Sequence, residues 1–181
     1  MNIQFATDEY NQALRAGQKE FRELSAAGKP THPAVLDELL PENGAHTVVD
    51  VGLIEIPSER IIGTKSAGRI AAFTPSFHPL LDPKSEFAAK WISLCAAHLG
   101  ETGITDPIAC YEYLGNFYVQ EGNKRVSVLR CFGAPRIPGQ VRRVMPAPSE
   151  DPRIRAYYEF LDFYKVSHLY TIQFRRPGDY A

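Results

Sequence analysis

The sequence predicts an α/β (α+β) fold: a compact domain with a small mixed sheet, flanked by helices at both ends. Three observations carry this. Extended, Val/Ile-rich or alternating stretches at 47–56, 108–113, 117–120 and 136–144 are interleaved with helical patterns rather than grouped apart from them. The stretch from Phe117 runs as strand, glycine turn and short helix, the joint from which α/β units are built. A length of 181 residues, 44% hydrophobic and 23% charged, suits one globular core with an appendage.

Taken in order, Thr7 is the expected cap of a helix reaching about Ala27, with Tyr10, Leu14, Phe21 and Leu24 on one face. Gly28 and Pro30 end it. Pro33 starts a shorter helix over 34–40, stopped by Pro41. Residues 47–56 form a strand, with Ile61 and Ile62 as a continuation. Residues 63–83 hold Gly, Ser, Thr and prolines with few periodic apolar positions, which reads as a long loop. It is either a solvated crossing or a ligand lid carrying Arg69.

Asp82 and Pro83 open a helix whose Phe87, Trp91, Leu94, Cys95 and His98 share a face, closed by Gly100. A hairpin follows, with Gly115-Asn116 as its two-residue turn. The helix over 123–132 is stopped by Gly133, and 136–144 is extended up to Pro146. Asp151-Pro152 opens an aromatic-striped helix through Tyr157, Leu161 and Tyr164. Residues 169–174 read as a last strand, and 175–181 as a frayed tail. The expected organisation is a helical extension over 1–45, the central domain over 46–146, and a helix and strand over 147–181 packed on that domain.

Net charge is −1, so no global field invites nucleic acid or a membrane surface. No apolar run approaches the ~20 residues that span a bilayer, and the N-terminus lacks a signal-peptide pattern, which makes the cytoplasm the expected compartment. Cys95, Cys110 and Cys131 have no zinc spacing and read as small buried hydrophobes.

The main asymmetry is local. Residues 122–144 contain no Asp or Glu but carry Lys124, Arg125, Arg130, Arg136, Arg142 and Arg143. At the start of the helix, Gly122 permits close backbone approach and Asn123 is the expected cap. Lys124 and Arg125 bring charge where free N–H groups and the helix dipole already favour an anion. Glu121, just before the glycine, is placed to accept a ribose hydroxyl, to orient a base or to help hold a metal. On these residues alone, a phosphate cradle and a joint with solvated cations remain open alternatives.

Several pieces in order resemble the ParB/sulfiredoxin-like superfamily: Val51-Gly-Leu-Ile-Glu-Ile-Pro57, Arg69, the helix from Phe87, Gly103-Ile-Thr-Asp-Pro-Ile108, Gly122-Asn-Lys-Arg125, Gly133 and Ile137-Pro-Gly-Gln-Val141. The resemblance covers about half the chain. It implies a domain that binds a nucleoside triphosphate (ATP or CTP type), with Mg2+ as an accompanying ion. Gly122, Asn123, Lys124 and Arg125, joined by Arg69, would hold the phosphates. Glu121 is the candidate catalytic carboxylate, with Asp106 as its alternate. Sulfiredoxins carry a catalytic Cys in the corresponding turn, where this chain has Asn123 and Lys124. Only about 37 residues follow Val144, too few for the DNA-binding module of partition proteins. Three functions follow: nucleotide binding with phosphotransfer or hydrolysis, a non-catalytic nucleotide sensor, or a nucleic-acid binder or nuclease-like protein, against which the net charge argues. The terminal helices also suit a protein partner or a homodimer.

Overall fold

The computed structural model describes residues 3–42, 44–101 and 103–180. Helix α1 (Ile3–Ala26) buries Ala6, Tyr10, Ala13, Leu14 and Gly17 along one face. That face extends upstream of Thr7, so Thr7 is not the cap. It lies inside the helix, its Oγ1 donating to the Ile3 carbonyl at 2.8 Å. The expected helix over 34–40 is instead a two-residue strand, β1 (Ala34–Val35), followed by a single turn, α2 (Leu36–Leu39).

Strand β2 (His46–Pro57) is followed by a 3-10 turn (Ser58–Arg60) that separates it from β3 (Ile61–Thr64). Ile61 and Ile62 therefore open a strand of their own. The loop over 63–83 is not featureless: it holds a 3-10 segment (Ala67–Ala72) and a bridge between Phe73 and Pro79. Helix α3 (Glu86–His98) is capped by Ser85, whose Oγ accepts the Ala88 N–H, not by Asp82.

Strands β4 (Ile108–Tyr113) and β5 (Asn116–Glu121) form the hairpin, but its turn residues are Leu114 and Gly115, both at positive φ. Pairing of Tyr113 with Asn116 moves the turn one residue upstream of its expected place. Helix α4 (Asn123–Cys131) ends in a Schellman closure. The Ala134 N–H reaches the Leu129 carbonyl and the Gly133 N–H that of Arg130. Strand β6 (Arg136–Pro146) leads to helix α5 (Pro152–Ser167), capped by Asp151.

The six strands make one mixed sheet in the order β1-β3-β5-β4-β6-β2. Pairs β1/β3, β3/β5 and β4/β6 are parallel, while β4/β5 and β2/β6 are antiparallel. The α/β class with a mixed sheet and flanking helices is the one expected. Residues 34 and 35 add an edge strand to this sheet. At the opposite edge β2 pairs only with β6, and leaves Val48, Val49 and Leu53 exposed. A bulge interrupts it between Asp50 and Gly52. There Gly52 takes φ +87 and gives its N–H to Asp50 Oδ1 at 2.9 Å.

Helices α1, α3 and α4 pack as one layer around Trp91, which is fully buried. Its ring meets Tyr10 edge-on at 5.3 Å, and its Nε1 donates to Ser127 Oγ at 2.8 Å. Helix α5 covers the sheet elsewhere, burying Tyr157 and Phe160 in the core that includes Phe117 and Val141. Residues 169–174 form no strand. The tail is folded back rather than frayed, with the Tyr180 ring against Phe160, Phe163 and Phe174 and its hydroxyl accepting the Phe174 N–H at 2.7 Å. Aromatic burial thus holds a segment that lacks strand partners.

Candidate functional site

Strand β5 delivers the chain to Gly122, which caps α4 in a left-handed conformation (φ +102, ψ +20). The turn requires glycine twice over. L side chains rarely adopt this φ, and a Cβ here would lie 2.7 Å from Ile108 Cγ2. Asn123 is therefore the first helical residue, not the cap, and the sequence expectation is corrected on this point. No side chain caps α4. The N–H groups of Asn123, Lys124 and Arg125 begin the helix without intrahelical acceptors and carry its positive dipole end.

This helix start opens into a cavity of about 670 Å³. Gln120 to Arg125 form one side of it. Lys90, Ser93 and Leu94 of α3 face them, and Phe73, Phe87 and Arg69 complete the wall. Arg69, Glu121, Gly122, Asn123, Lys124 and Arg125, all singled out in the sequence, thus line one cavity.

Their roles differ. Lys124 Nζ lies 5.1 Å from the centre of the Phe87 ring. Burial lowers its pKa, and the nearby charges of Arg69 and Lys90 lower it further, against a smaller opposing pull from Glu86. Arg125 is partly committed elsewhere, since one guanidinium nitrogen donates to the carbonyls of Asp106 and Pro107 at 3.1 and 2.6 Å. It ties the loop before β4 to the start of α4. Glu121 is exposed at the rim, at the end of β5. Asn123 Oδ1 is buried with no hydrogen-bond partner, an unmatched acceptor behind the cavity wall.

Lys90 and Ser93 were not singled out in the sequence. Each occupies the polar side of an amphipathic helix, so periodicity alone assigns both to solvent. Lys90 also pairs with Glu86 at 2.5 Å, one turn earlier.

The basic run does not form one surface. Arg130 donates to the Ser58 and Ile61 carbonyls and lies over the Phe77 ring, while Arg143 is bonded to the fully buried Glu112. Glu112 Oε2 accepts Arg143 Nε at 2.6 Å and the Tyr157 hydroxyl at 2.7 Å, and Oε1 accepts the Gly115 N–H at 2.7 Å. Burial pushes the Glu112 carboxyl up, against the pull of these three donors.

Among the described residues no cluster of three or more His, Cys, Asp or Glu could hold a metal, and no helix is long and apolar enough to cross a membrane. Burial raises the thiols of Cys95, Cys110 and Cys131 to about 11, about 12 and about 11, which keeps them protonated and unreactive at neutral pH.

No family model and no curated protein sequence matches the chain. Among solved structures, sulfiredoxin from Arabidopsis thaliana is similar over 50% of this chain and 84% of its own, with 21% identity and a TM-score of 0.36. A likeness of that size carries no argument about the site.

Proposed function

We propose that the cavity at the start of α4 binds a nucleoside triphosphate, with the phosphates on the helix N–H groups and among Arg69, Lys90, Lys124 and Arg125. The observation that carries this reading is the crowding of cations around Lys124. Its ammonium shares the cavity with Arg69 and Lys90, whose charges disfavour its own, at an open, positively polarised helix end, an arrangement that an anion relieves. The cavity volume lies within the range of small-molecule sites. The resemblance of the ordered sequence pieces to the ParB/sulfiredoxin-like superfamily supports the same ligand class.

Mg2+ fits this arrangement, because it is ordinarily held by one or two carboxylates together with substrate phosphates, and Glu121 stands at the rim. The ion would neutralise charge between phosphate oxygens. In this reading the chain orients the phosphates with backbone N–H groups and cations, and Glu121 accepts a proton from an attacking hydroxyl or water. A sensor would use the same cradle without the final step. A nucleic-acid role is disfavoured, because Arg130 and Arg143 spend their donors inside the fold.

The test is a melting-temperature panel with ATP, CTP and GTP, with and without Mg2+, on wild type and Lys124→Met. A ligand at 100 times its Kd stabilises by about 2.7 kcal/mol, or roughly 5–10 °C for a chain of this size. Wild type should shift and Lys124→Met should not. No shift with any nucleotide at millimolar concentration sinks the reading. Phosphate release under the same conditions separates enzyme from sensor.

A further inference from the structure

A second cavity, of about 430 Å³, lies where the tail folds over α5 and the β4–β5 turn. It is separate from the first. Asn116 lines it at one end of β5, and Glu121 lines the other cavity at the far end of the same strand. At ~3.3 Å per residue the two are about 17 Å apart.

Its composition is specific. Tyr157, Phe160, Phe174 and Tyr180 supply aromatic walls, Arg60, Arg153 and Arg175 supply charge, and among the described residues no Asp or Glu lines it. The three arginines are not equivalent. Arg153 is already neutralised by Asp151, at 2.8 Å. Among the described residues neither Arg60 nor Arg175 has an acidic partner. Arg60 is held in place by Gln173, whose Oε1 accepts its Nη1 at 3.1 Å. Gln173 is itself fixed by Nε2 bonds to the Gly115 and Tyr170 carbonyls. Arg60 Nε is buried with no acceptor. An orphaned guanidinium N–H costs free energy that a ligand oxygen recovers.

We propose that this cavity is a binding site for a small aromatic monocarboxylate. The ring would sit among the aromatic walls. The carboxylate would lie against the Arg60 guanidinium and the fork of Arg175, the planar two-oxygen geometry that guanidinium groups match. A monoanion is the charge that fits. The Asp151 carboxylate occupies the nearby start of α5, so this site lacks the open helix end that favours a phosphate at the first cavity. The volume suits a single ring with a short acid chain, and lies near the lower end of small-molecule sites.

The experiment is a titration of the full chain with 3-phenylpropanoate, followed by NMR of the Asn116 and Gln173 side-chain amides and by melting temperature. Its neutral isostere, 3-phenylpropanamide, is the control. Saturable binding of the acid is expected, with the amide at least about tenfold weaker, the scale of one charge-assisted bond. Arg175→Met and Arg60→Met should each weaken the acid by about tenfold or more, while Lys124→Met leaves it unchanged. Arg175 is exposed and makes no hydrogen bond or ion pair among the described residues, so its substitution tests the site even if Arg60→Met loosens the tail. Equal affinity for acid and amide, an Arg175→Met protein that binds normally, or the absence of saturable binding would each overturn the proposal.

Discussion

Lys124 Nζ stands 5.1 Å above the Phe87 ring, so the ammonium is partly withdrawn from water onto an aromatic face while two other cations approach it. Removing the charge should therefore have opposite effects on folding and on ligand binding. Lys124→Met is expected to leave the ligand-free melting temperature unchanged or raised, and to abolish the nucleotide-induced shift. A variant that melts lower without ligand would contradict the crowding that the site implies.

The same lysine sets a pH dependence. Its pKa in the free protein lies below the ordinary 10.5, and a bound polyphosphate pulls it back up. Binding then takes up a proton when the pH lies between the two values. Affinity for nucleotide should fall as pH rises through that window, and more steeply for wild type than for Lys124→Met. Calorimetry in buffers of different ionisation heat reads the proton uptake.

Gly122→Ala places a methyl group against Ile108 at a φ of +102. Gly133→Ala also meets a positive φ (+71), but with open space around the new carbon. Strain alone costs about 1–3 kcal/mol, and the contact with Ile108 adds to it. Urea unfolding should show a lower midpoint for Gly122→Ala than for Gly133→Ala, with m unchanged.

Glu20 clamps α1 to the loop before α3. It accepts His78 Nδ1 and Thr74 Oγ1 on one oxygen, and the Ser76 N–H and hydroxyl on the other. Burial raises its pKa, but these donors outweigh burial and hold it below the ordinary 4.5. A depressed carboxylate contributes stability that is present above 4.5 and lost as pH falls through the folded value. The protection of α1 amides against hydrogen exchange, relative to the intrinsic rate at each pH, should fall on acidification below about pH 4.5 in wild type. In Glu20→Gln it should depend less on pH.

Glu112 and Arg143 join β4 to β6, with Tyr157 of α5 on the same carboxylate. Arg143→Met leaves a buried carboxylate short of its cation and should cost about 3–5 kcal/mol. Replacing both residues, Glu112→Leu with Arg143→Met, should restore part of that loss. A double variant less stable than either single one would show that the surrounding donors, not the pair, dominate.

The strand, glycine turn and helix from Phe117 to Gly133 were legible because a Val-rich run, a glycine and a second glycine punctuate them locally. The aromatic stripe of α5 was legible through its spacing. What escaped was long-range. Asn123 looks like a cap until the backbone shows Gly122 already turning the chain. Arg143 looks like surface charge until β4 brings Glu112, 31 residues away, beside it. Residues 169–174 have strand composition but pair with no strand of the sheet, and aromatic packing decides their path. Lys90 and Ser93 sit on the polar side of a helix, and only the turn opposite makes that side the wall of a cavity.

The Asp50–Gly52 bulge has a consequence for how copies of this chain behave at high concentration. A long outer strand bearing Val48, Val49 and Leu53 is a template for open-ended stacking into fibrils. Folding the Asp50 carboxylate onto the Gly52 amide breaks the straight run of donors and sets a negative charge in the path of an incoming strand. Colloidal behaviour at this edge is therefore tied to the Asp50 charge, with exposed Glu55 adding a second one further along the strand.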